Sequence, residues 1–144
     1  MSFDPVVIEQ SFNEPVSTLW TAITDQNEMR QWYFNQIADF QPEVGFETQF
    51  EVDCEGQIFR HMWSVTEVEP EKRLSYDWKY DGIPGQSNVV WEISETPDGC
   101  HLKLTHSGGE TFPQDNPLFS RESGIAGWTY FIQENLPAYF EDRK

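Results

Sequence analysis

Apolar positions recur every second residue through the middle of this chain, and every third or fourth residue near its two ends. FETQFEVDC sets Phe46, Thr48, Phe50, Val52 and Cys54 against Glu47, Gln49, Glu51 and Asp53. That alternation is the mark of a half-buried strand. RLSYDWKY sets Leu74, Tyr76 and Trp78 against Ser75, Asp77 and Lys79. NVVWEIS sets Val89, Trp91 and Ile93 against Val90, Glu92 and Ser94, and CHLKLTH sets Cys100, Leu102, Leu104 and His106 against His101, Lys103 and Thr105. QIFRHMWSVTEV alternates less cleanly and predicts a strand with a bulge. The connections are short: Glu55-Gly56, EPEK, DGIPGQ and TPDG. Consecutive strands on short turns make an antiparallel meander with one aromatic and one polar face. PVVIEQSF, with Val6, Val7 and Ile8 together, adds a first strand.

The ends of the chain follow the helical period. In NEPVSTLWTAITDQNEMRQWYF, Asn13 is the expected cap and Pro15 the first-turn residue of a helix carrying Val16, Leu19, Trp20 and Ile23 on one side. Asp25 is the expected cap of a second short helix with Met29, Trp32 and Tyr33 inward. SGIAGWTYFIQENLPAYF predicts a long last helix with Ile125, Trp128, Thr129, Ile132, Leu136 and Tyr139 on one side. Its glycines, Gly124 and Gly127, each cost about 1 kcal/mol relative to alanine. They are expected where the helix passes close to the sheet or the preceding loop, so Gly127→Leu is expected to destabilise the fold or fill a cavity. Pro137 is expected to bend the final turn. SGGETFPQDNPLFSRE reads as a polar loop leading into this helix. The aromatic sheet face needs a cover, and the helices are there to supply it. Residues 1–144 are read as a single domain.

Composition narrows the function. The chain has 144 residues, 15% of them aromatic, with six Trp and eleven Phe. A net charge of −16 and a best basic cluster of only Lys72-Arg73 argue against nucleic acid and anionic membrane surfaces as partners. No stretch approaches a membrane span. The N-terminal segment lacks the basic and apolar regions of a signal peptide. A cytoplasmic protein with two reduced cysteines, Cys54 and Cys100, is expected.

The order of strand, two short helices, long antiparallel meander and long last helix resembles the helix-grip fold of the START and birch-pollen-allergen-like (SRPBCC) superfamily, an α+β fold. PVSTLWTAITDQNEMRQWYF, VTEVEPEKRLSYDW, LKLTHSG and GIAGWTYFIQENLPAYFE narrow it. Together they resemble the family named for the activator of the ATPase of heat-shock protein 90, in its small bacterial single-domain form. The likeness runs from about Val7 to Phe140. It implies a curved sheet of about six to seven strands wrapped around the last helix, with a cavity that the wider superfamily uses for lipids, polyketides and other hydrophobic molecules. The eukaryotic activator has a separate N-terminal domain that this sequence is expected to lack, so chaperone activation is not expected to carry over.

The cavity lining expected from the inward positions is Trp32, Phe46, Thr48, Phe50, Trp63, Tyr76, Trp78, Trp91, His106, Trp128 and Ile132, with Thr48, Tyr76 and His106 as its polar groups. The competing reading is a filled core in which the rings themselves occupy the space. His106, at a strand end, could act as an acid or base near neutral pH or simply bond a backbone carbonyl. His101 and His106 are expected to face opposite ways, and no spacing of His, Cys or acids fits a metal. Neither a cofactor nor a metal is expected. No nucleophile elbow, phosphate loop or dinucleotide fingerprint occurs. Three functions remain open: a binder of a small hydrophobic molecule without catalysis, a cyclase- or isomerase-type enzyme using His106 and Tyr76, and a protein-interaction module. A homodimer is as compatible as a monomer. A cavity below about 300 Å³ would favour the interaction module.

Overall fold

The computed structural model describes residues 4–54 and 56–142; the turn residue Glu55 lies outside them. Strand β1 (Val6–Phe12) leads into helices α1 (Val16–Thr24) and α2 (Gln26–Trp32). Strands β2 (Glu47–Cys54), β3 (Gln57–Glu69), β4 (Arg73–Tyr80), β5 (Ser87–Thr96) and β6 (Gly99–Ser107) follow. All pairings are antiparallel, in the order β1-β6-β5-β4-β3-β2. Every inward position of the alternating pattern from Thr48 to Val52, Leu74 to Trp78, Val89 to Ile93 and Cys100 to Leu104 is buried. The bulge expected in β3 sits between Val65 and Glu67. Outside it, Thr66, Ser75 and Asn88 link by hydrogen bonds, which lets Ser75 be buried on the otherwise wet face.

The helices differ from the sequence reading in two local details. Asp25 caps α2 as expected, accepting from the Asn27 and Glu28 amides. Asn13 does not cap α1; Pro15 stands at that position and offers no side-chain acceptor.

The last helix is interrupted. It runs as α3 (Arg121–Thr129), a π-helical stretch Tyr130–Asn135, and α4 (Leu136–Asp142). Pro137, the second residue of α4, has no amide hydrogen to donate one turn back, and the wider π turn before it absorbs that loss. The same stretch sets which residues face inward. Residues four apart drift around an α-helix in one direction, and the larger π turn rotates them back. Trp128, Ile132, Leu136 and Phe140 therefore stay in one buried row, while Ile125 and Tyr139 are only half-buried against the core. Asn135 donates to the Trp32 carbonyl (3.1 Å), Gln133 to the Glu9 carbonyl (3.0 Å) and Tyr139 to Glu28 (2.9 Å). These bonds fasten the helix to β1 and α2.

Candidate functional site

The space between sheet and C-terminal helix is filled by rings. Tyr33, at the end of α2, stacks on Trp32 (5.0 Å) and Trp63 (5.6 Å) and meets Trp91, Trp128 and Phe131 at 5.8, 5.8 and 4.9 Å. Trp63 in turn lies 4.6 Å from Tyr76, 4.8 Å from Phe50 and 5.3 Å from Trp78. Offset and edge-on packing of this kind is favourable for aromatic quadrupoles.

A few polar atoms lie inside. The Tyr33 and Tyr76 hydroxyls are 3.0 Å apart. Burial, and then the proximity of Tyr76, raises the pKa of Tyr33 well above the ordinary phenol value; burial does the same to Tyr76 against smaller opposing contributions from the Tyr33 hydroxyl and the Trp91 indole. Both stay protonated. The Trp32 indole donates to the Ala22 carbonyl (2.8 Å). The indole N–H groups of Trp63, Trp78 and Trp91 are buried and reach no acceptor in hydrogen-bond geometry among the described residues. Unmet buried donors are uncommon in native interiors, because each forfeits its bond to water.

His106 sits where the filled interior ends. The Trp128 indole can only donate, so His106 Nδ1 accepts from it (2.9 Å). The neutral ring then carries its hydrogen on Nε2 and donates to Ser87 Oγ (2.8 Å), whose own hydrogen goes to the Trp78 carbonyl (2.8 Å). Burial pulls His106 down to about 4. His61, stacked on Phe50 (5.1 Å) and donating from Nδ1 to the Phe59 carbonyl (3.2 Å), is pulled down to about 4 chiefly by burial as well. Both rings are neutral at pH 7. With both His106 nitrogens engaged and Tyr76 sealed against Tyr33, the geometry gives no support to an acid–base pair made of these two residues.

Beyond His106 lies a partly open cavity of about 80 Å³, bordered by β1, β4, β6, the 108–120 loop and the first turn of α3. Its walls include Val6, Tyr80, Phe112, Leu118 and Phe119, with Arg121 and Gly124 on the helix side. The loop consists of two 3-10 turns, Gly109–Thr111 and Pro117–Phe119. Read in sequence as polar, it buries Phe112 and Phe119 against Phe59 in a second, smaller cluster. Thr111 Oγ1 clasps it to the β4–β5 hairpin, donating to the Gln86 carbonyl and accepting from its amide, both at 2.9 Å. Gly85 is required there: at its φ of +112°, a Cβ would lie 2.5 Å from the Thr111 carbonyl oxygen. Larger hollows of about 230 and 470 Å³ lie on the outer sheet face among charged side chains such as Asp77 and Lys79, or Arg73 and Lys103.

The eleven residues expected to line a cavity are thus divided. His106 borders it. Trp78 and Trp128 stand directly behind His106, at ring distances of 5.2 and 5.7 Å. Trp32, Thr48, Phe50, Trp63, Tyr76, Trp91 and Ile132 are buried in the interior core, Phe46 packs half-buried against it, and none of these eight appears in the lining of the cavity. His101 faces outward, between Ser11 (2.8 Å) and Glu9 (2.9 Å). Among the described residues no group of three His, Cys, Asp or Glu could hold a metal, and no helix is long and apolar enough to cross a membrane. Sequence reasoning pointed to Gly124 but missed the wall built by Tyr80, Phe112 and Phe119. Phe112, Leu118 and Phe119 beside two prolines in an otherwise polar loop were the available signal.

The glycine expectation does not hold at Gly127. A Cβ there would meet nothing within 4 Å, so no close approach demands this glycine. At Gly124 the nearest atom would be Val6 Cγ2 at 3.5 Å, an ordinary contact, and the position opens onto the cavity.

A family model described as activator of Hsp90 ATPase homolog 1-like protein matches residues 13–141. Among solved structures, protein MLL2253 from Mesorhizobium loti is 28% identical with a TM-score of 0.78, covering 97% of this chain and 98% of that one. The AHSA1 protein from Silicibacter pomeroyi superposes with a TM-score of 0.72 at 21% identity, over 97% of this chain and 99% of that one. DynU16, a protein in the dynemicin biosynthetic locus, gives 0.79 at 24% identity; it matches 99% of this chain and 49% of its own. The last two likenesses are of fold. No curated protein matches significantly.

Proposed function

The chain belongs to the family described as activator of Hsp90 ATPase homolog 1-like proteins, and from that premise we propose that it binds a small apolar molecule between sheet, 108–120 loop and α3. The observation that carries this reading is the cavity beside His106, which has aromatic and aliphatic walls on most sides. Hydrophobic ligands are common in this family and its superfamily. At about 80 Å³ the space is smaller than the roughly 300 Å³ of a drug-sized site. A larger ligand has to push Phe112 and Phe119 outward with their loop.

The test is a panel of small aromatic and aliphatic alcohols, read by thermal shift and by the NMR signals of His106. A raised midpoint that Gly124→Leu abolishes supports the reading. No shift at millimolar concentration, with unmoved His106 signals, overturns it. The same small volume favours a second reading, a protein-interaction module. A changed ATPase rate of a bacterial heat-shock protein 90 homologue on adding this protein supports that alternative, and an unchanged rate sinks it.

A further inference from the structure

We infer that the molecule taken by this cavity carries a carboxylate, and that Arg121 receives it. The inference rests on the cavity being a binding site, as proposed above. Val6, Tyr80, Phe112, Leu118 and Phe119 give it a carbon surface, and the cationic group in its lining is Arg121, the first residue of α3. His106 offers no charge, since both its nitrogens are bonded within the protein.

Arg121 is held but not neutralised. Its Nε donates to the Asp4 carbonyl (2.9 Å) and its Nη2 to the Pro5 carbonyl (3.3 Å). Those acceptors are uncharged, and among the described residues no carboxylate lies within ion-pair distance of it. Arg30, Lys79 and Lys103 also have no ion pair among the described residues; what sets Arg121 apart is that it is held beside an apolar cavity. Asp115 and Glu122, its nearest acids along the loop and helix, and Asp4, whose carbonyl it bonds, are exposed and not part of the lining. Nη1 remains for a planar anion, to which a guanidinium is geometrically suited. The positive end of α3 has the same sign.

The net charge of −16 opposes an anion at long range. The attraction is therefore a contact effect, and it should survive physiological salt, where screening acts beyond about 8 Å.

Two probes with the same body decide the matter: 3-phenylpropionate and 3-phenylpropanol, titrated calorimetrically into the whole protein at pH 7. The carboxylate is expected to bind about tenfold tighter than the alcohol. Arg121→Gln should abolish that preference, with the carboxylate losing about tenfold and the two probes then binding alike, and Gly124→Leu should lose both probes. Equal affinity for the two probes, or a preference that survives Arg121→Gln, overturns the carboxylate inference and leaves the cavity reading standing. Binding of neither probe overturns both. Should Arg121→Gln fail to fold, by circular dichroism, the two-probe comparison on the unmutated protein decides alone.

Discussion

The interior beneath the middle of the C-terminal helix and the interior beneath its first turn are built from the same kinds of side chain, yet one is closed and the other hollow. Under Trp128 and Ile132, regular elements face each other on both sides, and Tyr33 fills the middle of the space between them. Under Gly124 one wall is a loop of two 3-10 turns. Its two core rings, Phe112 and Phe119, are carried by the loop and pack on Phe59 of β3, whereas the tryptophans of the closed region stand on paired strands and helices. Rings mounted on paired strands and helices can close on each other, whereas rings mounted on a loop are placed by the few hydrogen bonds that hold the loop. Ligand sites tend to form where such a rigid scaffold meets a loop.

The contrast can be broken by mutation. Trp91→Ala removes a fully buried ring from the closed region and should cost about 3–5 kcal/mol, measured by urea unfolding. A cost no larger than that of the loop variant below would mean the closed region is not closely packed.

Acid probes the border between the two regions. His61 belongs to the closed side and His106 to the edge of the cavity, and both titrate near 4 when folded against about 6.5 unfolded. The folded state favours the neutral rings. Their contribution is therefore complete above pH 6.5 and is lost as pH falls from 6.5 towards 4, by up to roughly 3 kcal/mol for each ring. Unfolding midpoints at pH 7, 6 and 5 should fall in step, and His106→Gln or His61→Gln should each remove about half the slope. A much smaller share for His106 would show that water reaches its side of the border.

Phe119→Ala, on the loop side, should cost about 2 kcal/mol, less than a fully buried phenylalanine, because the ring already borders empty space. It should also enlarge the cavity enough to strengthen binding of 3-phenylpropanol in a calorimetric titration. Unchanged binding would separate Phe119 from the site. The smallest effect is expected at Gly127→Ala, where a Cβ meets nothing. It should stabilise by up to about 1 kcal/mol, readable as a rise in melting temperature, and a loss of stability would restore the close approach that the sequence suggested.

Most of the scaffold was legible from local pattern. Alternation assigned the inward positions of β2, β4, β5 and β6, and Asp25 announced the start of α2, because both signals depend on neighbours a few residues apart. The site was legible only in part. His106 was found from its strand position, but Tyr80, Phe112 and Phe119 come from a strand end and a loop without periodicity. The acid–base promise of His106 vanished because Trp128 and Ser87, 22 and 19 residues away, take both of its nitrogens.

Element type, inward and outward faces, antiparallel order and the acidic surface are thus properties of the chain read along its length, since pleat and helical period are set by backbone geometry over a few residues. Closure is different. Which tryptophan fills which gap, the π turn that keeps Trp128, Ile132, Leu136 and Phe140 in one row, and the hollow left between Arg121 and Phe119 follow from distances between distant segments. Side chains interlock at crystal-like density only when those distances are set, and where a loop supplies one wall the density is not reached.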